Sequence, residues 1–237
     1  MTMMLASVRS LDEALTALEG GADLIDLKEP SRGALGALDH AAVRICVQAV
    51  GARRPVSATI GDLPSMDPQL MTEAVERMAA TGVDYIKIGF FSHPQAFDCA
   101  SALSKLSRNT RLVAVMFADE PYDLALVDEL SCNGFAGAML DTAHKTGKTL
   151  RDWRTGKELG DFIARSRDVG LLTGLAGSLR REDVPALIAI GPDYLGFRGA
   201  LCRNGARAKI LDGCLLAGIR NAIPRPSVSQ VRRSLAA

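Results

Sequence analysis

The chain has 237 residues, 28 of them Lys or Arg against 27 Asp or Glu, so a formal net charge of +1 leaves no basic block to follow a nucleic-acid backbone. With 48% hydrophobic and 23% charged residues it has the composition of a folded globular chain rather than a disordered or fibrous one. No apolar run approaches a membrane span, and the start MTMMLASVRS lacks a signal-peptide pattern, so a cytoplasmic protein with no nucleic-acid or membrane partner is expected.

In chain order, an apolar strand at 3–8 leads into a helix at 10–20, which Ser10 and Glu13 open as a capping box and Gly20-Gly21 close. A strand at 24–27 is followed by a helix at 39–50, a strand at 56–60 by a helix at 68–80 that ends at Thr81-Gly82. Next come a strand at 85–88 with a helix at 96–106, and a strand at 112–117 with a helix at 121–133 stopped by Asn133-Gly134. Strands at 136–140, 171–175 and 194–197 alternate with helices at 152–166, 181–190 (closed by Gly191-Pro192) and 209–222. Strand-helix alternation of this kind throughout the chain predicts an α/β fold, a single (β/α)8 TIM-type barrel over residues 1–237 with a flexible C-terminal tail at 225–237. A doubly wound sheet is disfavoured, since no GxGxxG turn follows the first strand.

Cys46, Cys99, Cys132, Cys202 and Cys214 are scattered and never paired as CxxC, which reads as small buried apolar residues rather than a disulfide framework or zinc site. His40, His93 and His144 are equally dispersed, and His144 reads as a loop residue; neither a metal nor an organic cofactor is expected. Lysine is scarce: of the 28 basic residues seven are Lys (28, 87, 105, 145, 148, 157 and 209) and 21 are Arg. Generic surface cations are therefore arginines, and a retained lysine points to chemistry a guanidinium cannot supply, because only an amine can lose its proton and attack a carbonyl.

The period of two in Leu24-Ile25-Asp26-Leu27-Lys28 puts Asp26 and Lys28 on the face opposite Ile25 and Leu27, hence inside the barrel. Lys87 between Ile86 and Ile88 points inward for the same reason, as does Asp141 at the end of the sixth strand, with Lys145 four residues on. Because all three strands are even-numbered, Asp26, Lys28, Lys87 and Asp141 are expected to meet in one polar layer. Structural ion pairing is the bland explanation for a single couple. Two inward lysines are costly to desolvate, however, and close amines depress one another's pKa, which suits imine chemistry on a carbonyl. Lys145 in its loop reads equally well as a solvated cation.

The last two strands run into Gly174-Leu175-Ala176-Gly177-Ser178 and Gly196-Phe197-Arg198-Gly199-Ala200. Loops after these strands bind phosphate in many barrels through close-approaching backbone N–H groups. Gly177, Ser178, Gly199, Ala200 and Arg198 are the candidate phosphate ligands, with Arg203 nearby.

Together DLIDLKEP, YIKIGF, MLDTAHKTG and YLGFRGALC make the chain resemble the (5-formylfuran-3-yl)methyl phosphate synthases over nearly its whole length. That resemblance implies a lyase that condenses two glyceraldehyde 3-phosphate molecules through a lysine Schiff base, on the way to methanofuran or methylofuran. It further implies Lys28 as the Schiff-base lysine and Lys87 as proton acceptor, with Asp26, Asp141 and Lys145 assisting. The partner expected is therefore a small triose phosphate. A homo-oligomer is expected as well, since barrels of this size commonly associate through their outer helices. Two alternatives stay open: another Schiff-base aldolase or dehydratase on a sugar phosphate, and a non-catalytic barrel scaffold.

Overall fold

In a computed structural model that describes residues 1–224, eight parallel strands pair in sequence order, and the last returns to the first to close a barrel. The strands are β1 (Met3–Val8), β2 (Leu24–Leu27), β3 (Val56–Thr59), β4 (Tyr85–Phe90), β5 (Arg111–Phe117), β6 (Gly137–Asp141), β7 (Leu172–Leu175) and β8 (Tyr194–Phe197). The helices outside it are α1 (Leu11–Glu19), α2 (His40–Val50), α3 (Pro68–Ala79), α4 (Ala96–Ala102), α5 (Ala125–Cys132), α6 (Leu150–Trp153), α7 (Gly156–Asp168), α8 (Val184–Ile190) and α9 (Gly213–Ala222). The tail at 225–237 lies outside the described residues. Among the described residues no helix is long and apolar enough to cross a membrane.

Alternation along each strand divides the apolar residues between two cores. Ala6, Val8, Ile25, Leu27, Ile86 and Ile88 face outward and pack with Ala14, Val43, Met71 and Phe162 of the helices. Leu5, Leu24, Val113, Val115, Met139 and Tyr194 face inward and fill the barrel floor. The interior is a packed plug and not a pore, so whatever sits above it rests on a dry, low-dielectric base.

Helix ends explain where the sequence reading and the structure part. The single helix expected at 152–166 is two, because Thr149 with Asp152 and Thr155 with Glu158 each form a capping box, and Arg154 between them is extended. The helix expected at 121–133 starts later, where the Asp123 carboxylate accepts the Ala125 N–H at 2.8 Å. The helix from 96 tightens into a 3-10 turn over Leu103–Arg108, and the one from 181 begins as a 3-10 turn over Arg181–Asp183. Only half of the first capping box forms. Ser10 Oγ accepts from Glu13 N at 3.3 Å, while the Glu13 carboxylate turns inward to Arg198. Of the cysteines, Cys46, Cys99 and Cys202 are buried as expected, but Cys132 and Cys214 are exposed, lying on solvent-facing sides of α5 and α9.

Gly174 faces Tyr194 across the β7–β8 pairing, and a Cβ on it would lie 2.3 Å from the tyrosine ring. Tyr194 is buried in the inner plug, where side chains are close-packed. Gly174→Ala is therefore expected to lower the urea-unfolding free energy by about 1–3 kcal/mol, with no loss of barrel circular dichroism at zero denaturant.

Candidate active site

Asp26 is the deepest charge in the barrel. Parallel register sets Ser7 of β1 on one side of it and Ser57 of β3 on the other. Both hydroxyls donate to its carboxylate, Ser7 Oγ at 2.8 Å and Ser57 Oγ at 2.7 Å, and Lys87 Nζ lies 3.1 Å from Oδ2. Lys28 directly follows β2, two residues after Asp26, its backbone N–H bonded to Val8 O at 3.0 Å, so its side chain stands one step nearer the mouth. There Lys28 Nζ lies 3.9 Å from Asp141 Oδ2, and Lys145 Nζ donates to Asp141 Oδ1 at 2.9 Å. The Thr142 N–H also donates to Asp141 Oδ1, at 2.7 Å.

The expected polar layer thus exists, but in two tiers: Asp26 with Lys87 below, Lys28 with Asp141 and Lys145 above. Lys145 belongs to the cluster and is not a free loop cation. His144 does behave as a loop residue, exposed and 3.2 Å from Asp119 Oδ2. Asp119 itself went unread in the sequence; it accepts the Ala143 and His144 N–H groups, both at 2.7 Å, and so shapes the loop that carries Lys145. Ser7 and Ser57 were also missed, although the alternation that marked Asp26 applies equally to Ala6-Ser7-Val8 and Val56-Ser57-Ala58.

Burial is the main force on Lys28 and drives its pKa down from 10.5 to about 8; Asp141 pulls it back up, and Lys87 pushes it further down. Burial alone would raise both carboxylates, but the cations prevail. Lys87 and Lys28, with the two serine hydroxyls, hold Asp26 below the ordinary carboxylate range, and Lys145 and Lys28 do the same for Asp141. At neutral pH the site therefore keeps both acids ionised while one amine is close to giving up its proton.

Above the cluster opens a cavity of about 560 Å³, lined by Lys28, Lys87, Asp141 and Lys145 on one side and by the loops after β7 and β8 on the other. Gly177 (φ 109°) and Ser178 (φ 50°) are left-handed in succession, and the N–H groups of Gly177, Ser178 and Leu179 make no hydrogen bond among the described residues. Gly199 and Ala200 open a one-turn 3-10 helix, so their N–H groups precede its first internal bond. These four sequence candidates thus line one concave, N–H-rich wall.

Arg198 is placed differently. It reaches the cavity wall, but its guanidinium pairs with Glu13 and donates to Ser7 O at 3.2 Å, Arg207 O at 2.8 Å and Lys209 O at 2.8 Å. All the donors of the fork are engaged, so Arg198 braces the β8–α9 loop instead of offering free N–H groups to an anion. Arg203 turns away to Asp212 at 2.8 Å. The cavity's other two guanidiniums, on Arg180 and Arg207, went unread because arginine is abundant in this chain.

A closed parallel barrel that buries lysines against acids beneath an N–H-lined mouth defines a (β/α)8-barrel enzyme. The 4-HFC-P synthase family profile matches residues 4–220, and the chain belongs to that family. A (5-formylfuran-3-yl)methyl phosphate synthase from Methanopyrus kandleri is 39% identical over 217 residues, covering 86% of this chain and 91% of its own. One from Methanocaldococcus jannaschii is 36% identical over 218 residues, covering 86% and 92%. A protein from Methylorubrum extorquens provisionally given the same name is 45% identical over 214 residues, covering 90% and 88%. The protein is thus an enzyme of the furan-forming synthase type. Among solved structures, phosphoribosyl anthranilate isomerase from Thermus thermophilus superposes with a TM-score of 0.67 at 16% identity, covering 94% of this chain and 98% of that one. Thiamine phosphate pyrophosphorylase from Pyrococcus furiosus does so at 0.62 and 12%, covering 93% and 94%; both share the barrel fold.

The two inward lysines should respond oppositely to removal. Lys28 has a folded pKa of about 8 against 10.5 unfolded, so between those values the unfolded chain binds the proton more tightly, and below them Lys28 opposes folding. Lys28→Met is expected to raise the melting temperature at pH 7, with the gain fading as pH climbs towards 10, since Asp141 keeps Lys145 and Asp26 keeps Lys87. Lys87→Met instead strands buried Asp26 on two hydroxyls and should cost about 3–5 kcal/mol. Thermal melts of both variants across pH 6–10, a range set by the two pKa values, check this contrast.

Proposed function

We propose that this enzyme joins two molecules of glyceraldehyde 3-phosphate through an imine on Lys28 and closes the product to (5-formylfuran-3-yl)methyl phosphate. The observation that carries the reading is Lys28 itself: a buried amine with a pKa of about 8, opening into the cavity that the N–H-rich wall faces. At pH 7 roughly a tenth of it is neutral and nucleophilic, against well under a thousandth of an ordinary lysine.

The stoichiometry suits that equipment. Two triose phosphates, together C6H14O12P2, become C6H7O6P by losing one H3PO4 and two H2O, with no net oxidation or reduction. The steps are carbonyl attack, proton transfer beside a carbonyl, carbon–carbon bond formation and elimination. An amine nucleophile and flanking proton carriers serve all of them.

In this reading the Lys28 amine adds to the carbonyl of one triose phosphate and water leaves. The resulting iminium acidifies the neighbouring C–H, and Lys87, held over Asp26 and left neutral by giving its own proton to the oxygen lost as water when the imine formed, takes that proton. The carbon nucleophile so formed attacks the aldehyde of the second molecule. Asp141 and Lys145, bonded to each other beside Lys28, are placed to exchange protons with departing water and phosphate. Gly177, Ser178, Gly199 and Ala200 offer N–H groups to a phosphate, where a fixed array of donors binds a dianion without reorganising. Such a reaction belongs to furan one-carbon carrier biosynthesis, of the methanofuran and methylofuran kind, in the cytoplasm. Copies of the chain associating through outer helices are compatible with it, because the site opens at the barrel mouth.

The test is borohydride trapping with glyceraldehyde 3-phosphate, the modified peptide located by mass spectrometry, alongside near-ultraviolet absorbance without borohydride. An adduct on Lys28 and a rising furan band are expected. An adduct without furan would shift the reading to a different Schiff-base aldolase or dehydratase, and no adduct would end the covalent mechanism. Lys28→Arg should abolish both signals, while Lys105→Arg and Lys157→Arg, both exposed, should stay within about twofold of the parent. With deprotonation governed by a pKa of about 8, the trapping rate of the parent should climb about tenfold per pH unit below 7 and level off above 9. A rate flat across that range would show that the amine's proton does not control it.

A further inference from the structure

The proposed reaction brings two phosphate dianions into one cavity, yet the N–H-rich wall over β7 and β8 is a single concave surface. Like charges so close repel unless each has its own counter-cation. Three arginines reach the cavity. Arg198 is saturated by Glu13 and three carbonyls. Arg180 directly follows Leu179 and is tied back to Gly147 O at 3.0 Å, so its charge adds to the β7 side of the wall.

Arg207 is of another kind. It leaves the β8–α9 loop, and its Nη2 donates to Gly33 O at 2.8 Å, which draws the guanidinium across to the β2–α2 loop, the loop that begins at Lys28. Its Nε and Nη1 have no acceptor among the described residues, while its backbone carbonyl is fixed by Arg198 Nε at 2.8 Å. The side chain is half-buried, and burial holds its pKa below the usual arginine value, with Asp141 pulling the other way. It is therefore a partly desolvated cation with free donors, anchored to the β2–α2 loop that begins at Lys28.

Resting on the function proposed above, we propose that Arg207 is the clamp for the phosphate of the second, acceptor triose phosphate, so that the cavity holds two separate phosphate sites. The first molecule would be held by the glycine wall and Lys28, and Arg207 would orient the aldehyde of the second towards it. A guanidinium offers paired donors to phosphate oxygens, and the tether to Gly33 keeps the fork from collapsing onto Asp141 when no substrate is bound.

The experiment compares the parent with Arg207→Gln and Arg207→Lys in two assays. Trapping of Lys28 by dihydroxyacetone phosphate and borohydride reads the first site alone; furan formation from dihydroxyacetone phosphate plus glyceraldehyde 3-phosphate reads both. Glutamine removes the charge and, being two bonds shorter than arginine, the tether to Gly33 O as well, whereas lysine keeps the charge. For Arg207→Gln the half-saturating concentration of glyceraldehyde 3-phosphate is expected to rise about 10- to 100-fold, with trapping on Lys28 changed by less than twofold. Arg207→Lys should recover part of the loss, and added guanidinium should partly rescue the glutamine variant. A matched loss in trapping and furan formation would overturn the assignment, because Arg207 would then serve the first site or the fold. Unchanged acceptor saturation would overturn it too. A parent enzyme that traps nothing on Lys28 would overturn the function reading and the clamp with it, an outcome distinct from either.

Discussion

Two carboxylates, Asp26 and Asp141, meet three amines, Lys28, Lys87 and Lys145, on the inner wall of the barrel, and that charge balance governs the site. Each acid already has a close cationic partner without Lys28: Asp26 has Lys87 at 3.1 Å and Asp141 has Lys145 at 2.9 Å. Lys28 is the remaining cation, 3.9 Å from the nearest carboxylate oxygen and pushed down by both other amines. Releasing its proton leaves a buried cluster with no net charge, which a low-dielectric interior favours. The same surplus explains why the lower tier is so heavily bonded. Without Ser7, Ser57 and Lys87, Asp26 could not stay ionised at its depth, and the field that separates the roles of the two inward lysines would vanish.

Preorganisation of the mouth depends on a second buried pair. Glu13, on α1, accepts from Arg198 and also from the Leu211 N–H at 3.1 Å, so one carboxylate ties the first helix to both ends of the β8–α9 loop. Arg198 then fixes the carbonyls of Arg207 and Lys209 within that loop. Outside glycine, left-handed backbone among the described residues occurs at Ser178 (φ 50°) and Asn204 (φ 57°), both lining the cavity. Such conformations cost of order 1 kcal/mol or more each and persist where surrounding bonds over-determine them. The Glu13–Arg198 tie supplies that determination on the β8 side. On the β7 side the Leu150 N–H bond to Gly177 O at 2.8 Å plays the same part.

What could be read from the sequence follows the range of the forces involved. Strand alternation is local, so the inward direction of Asp26, Lys28, Lys87 and Asp141 was legible, as was the barrel that alternating strands and helices imply. Helix starts were less so. Thr149-Asp152 and Thr155-Glu158 compete over a few residues, and only packing shows that both caps form and divide the helix. Long-range choices were not legible. Glu13 satisfies a local capping pattern, yet its carboxylate pairs with a residue 185 positions away. Arg198 was read as an anion ligand from its place after β8, whereas the fold spends its donors on the loop. Arg207 gave no signal, because among 21 arginines nothing local separates a cavity residue from a surface one.

Depth organises the proton chemistry as well as the charge. The apolar plug of Leu5, Leu24, Val113 and Tyr194 seals the barrel from below, so protons reach the cluster from the mouth. Exposure rises in that direction, from 2% for the Lys87 side chain to 21% for Lys145. Lys145 and Asp141 are thus in contact with solvent at one end and with Lys28 at the other. Lys87 exchanges protons only with what occupies the cavity. A group that must return a substrate proton to the same substrate gains from isolation, since solvent cannot compete for it. A group that must discharge water and phosphate gains from access. In the reaction proposed above the two tiers separate these demands, which is a physical reason to keep two inward acid–amine couples where one would suffice for an imine.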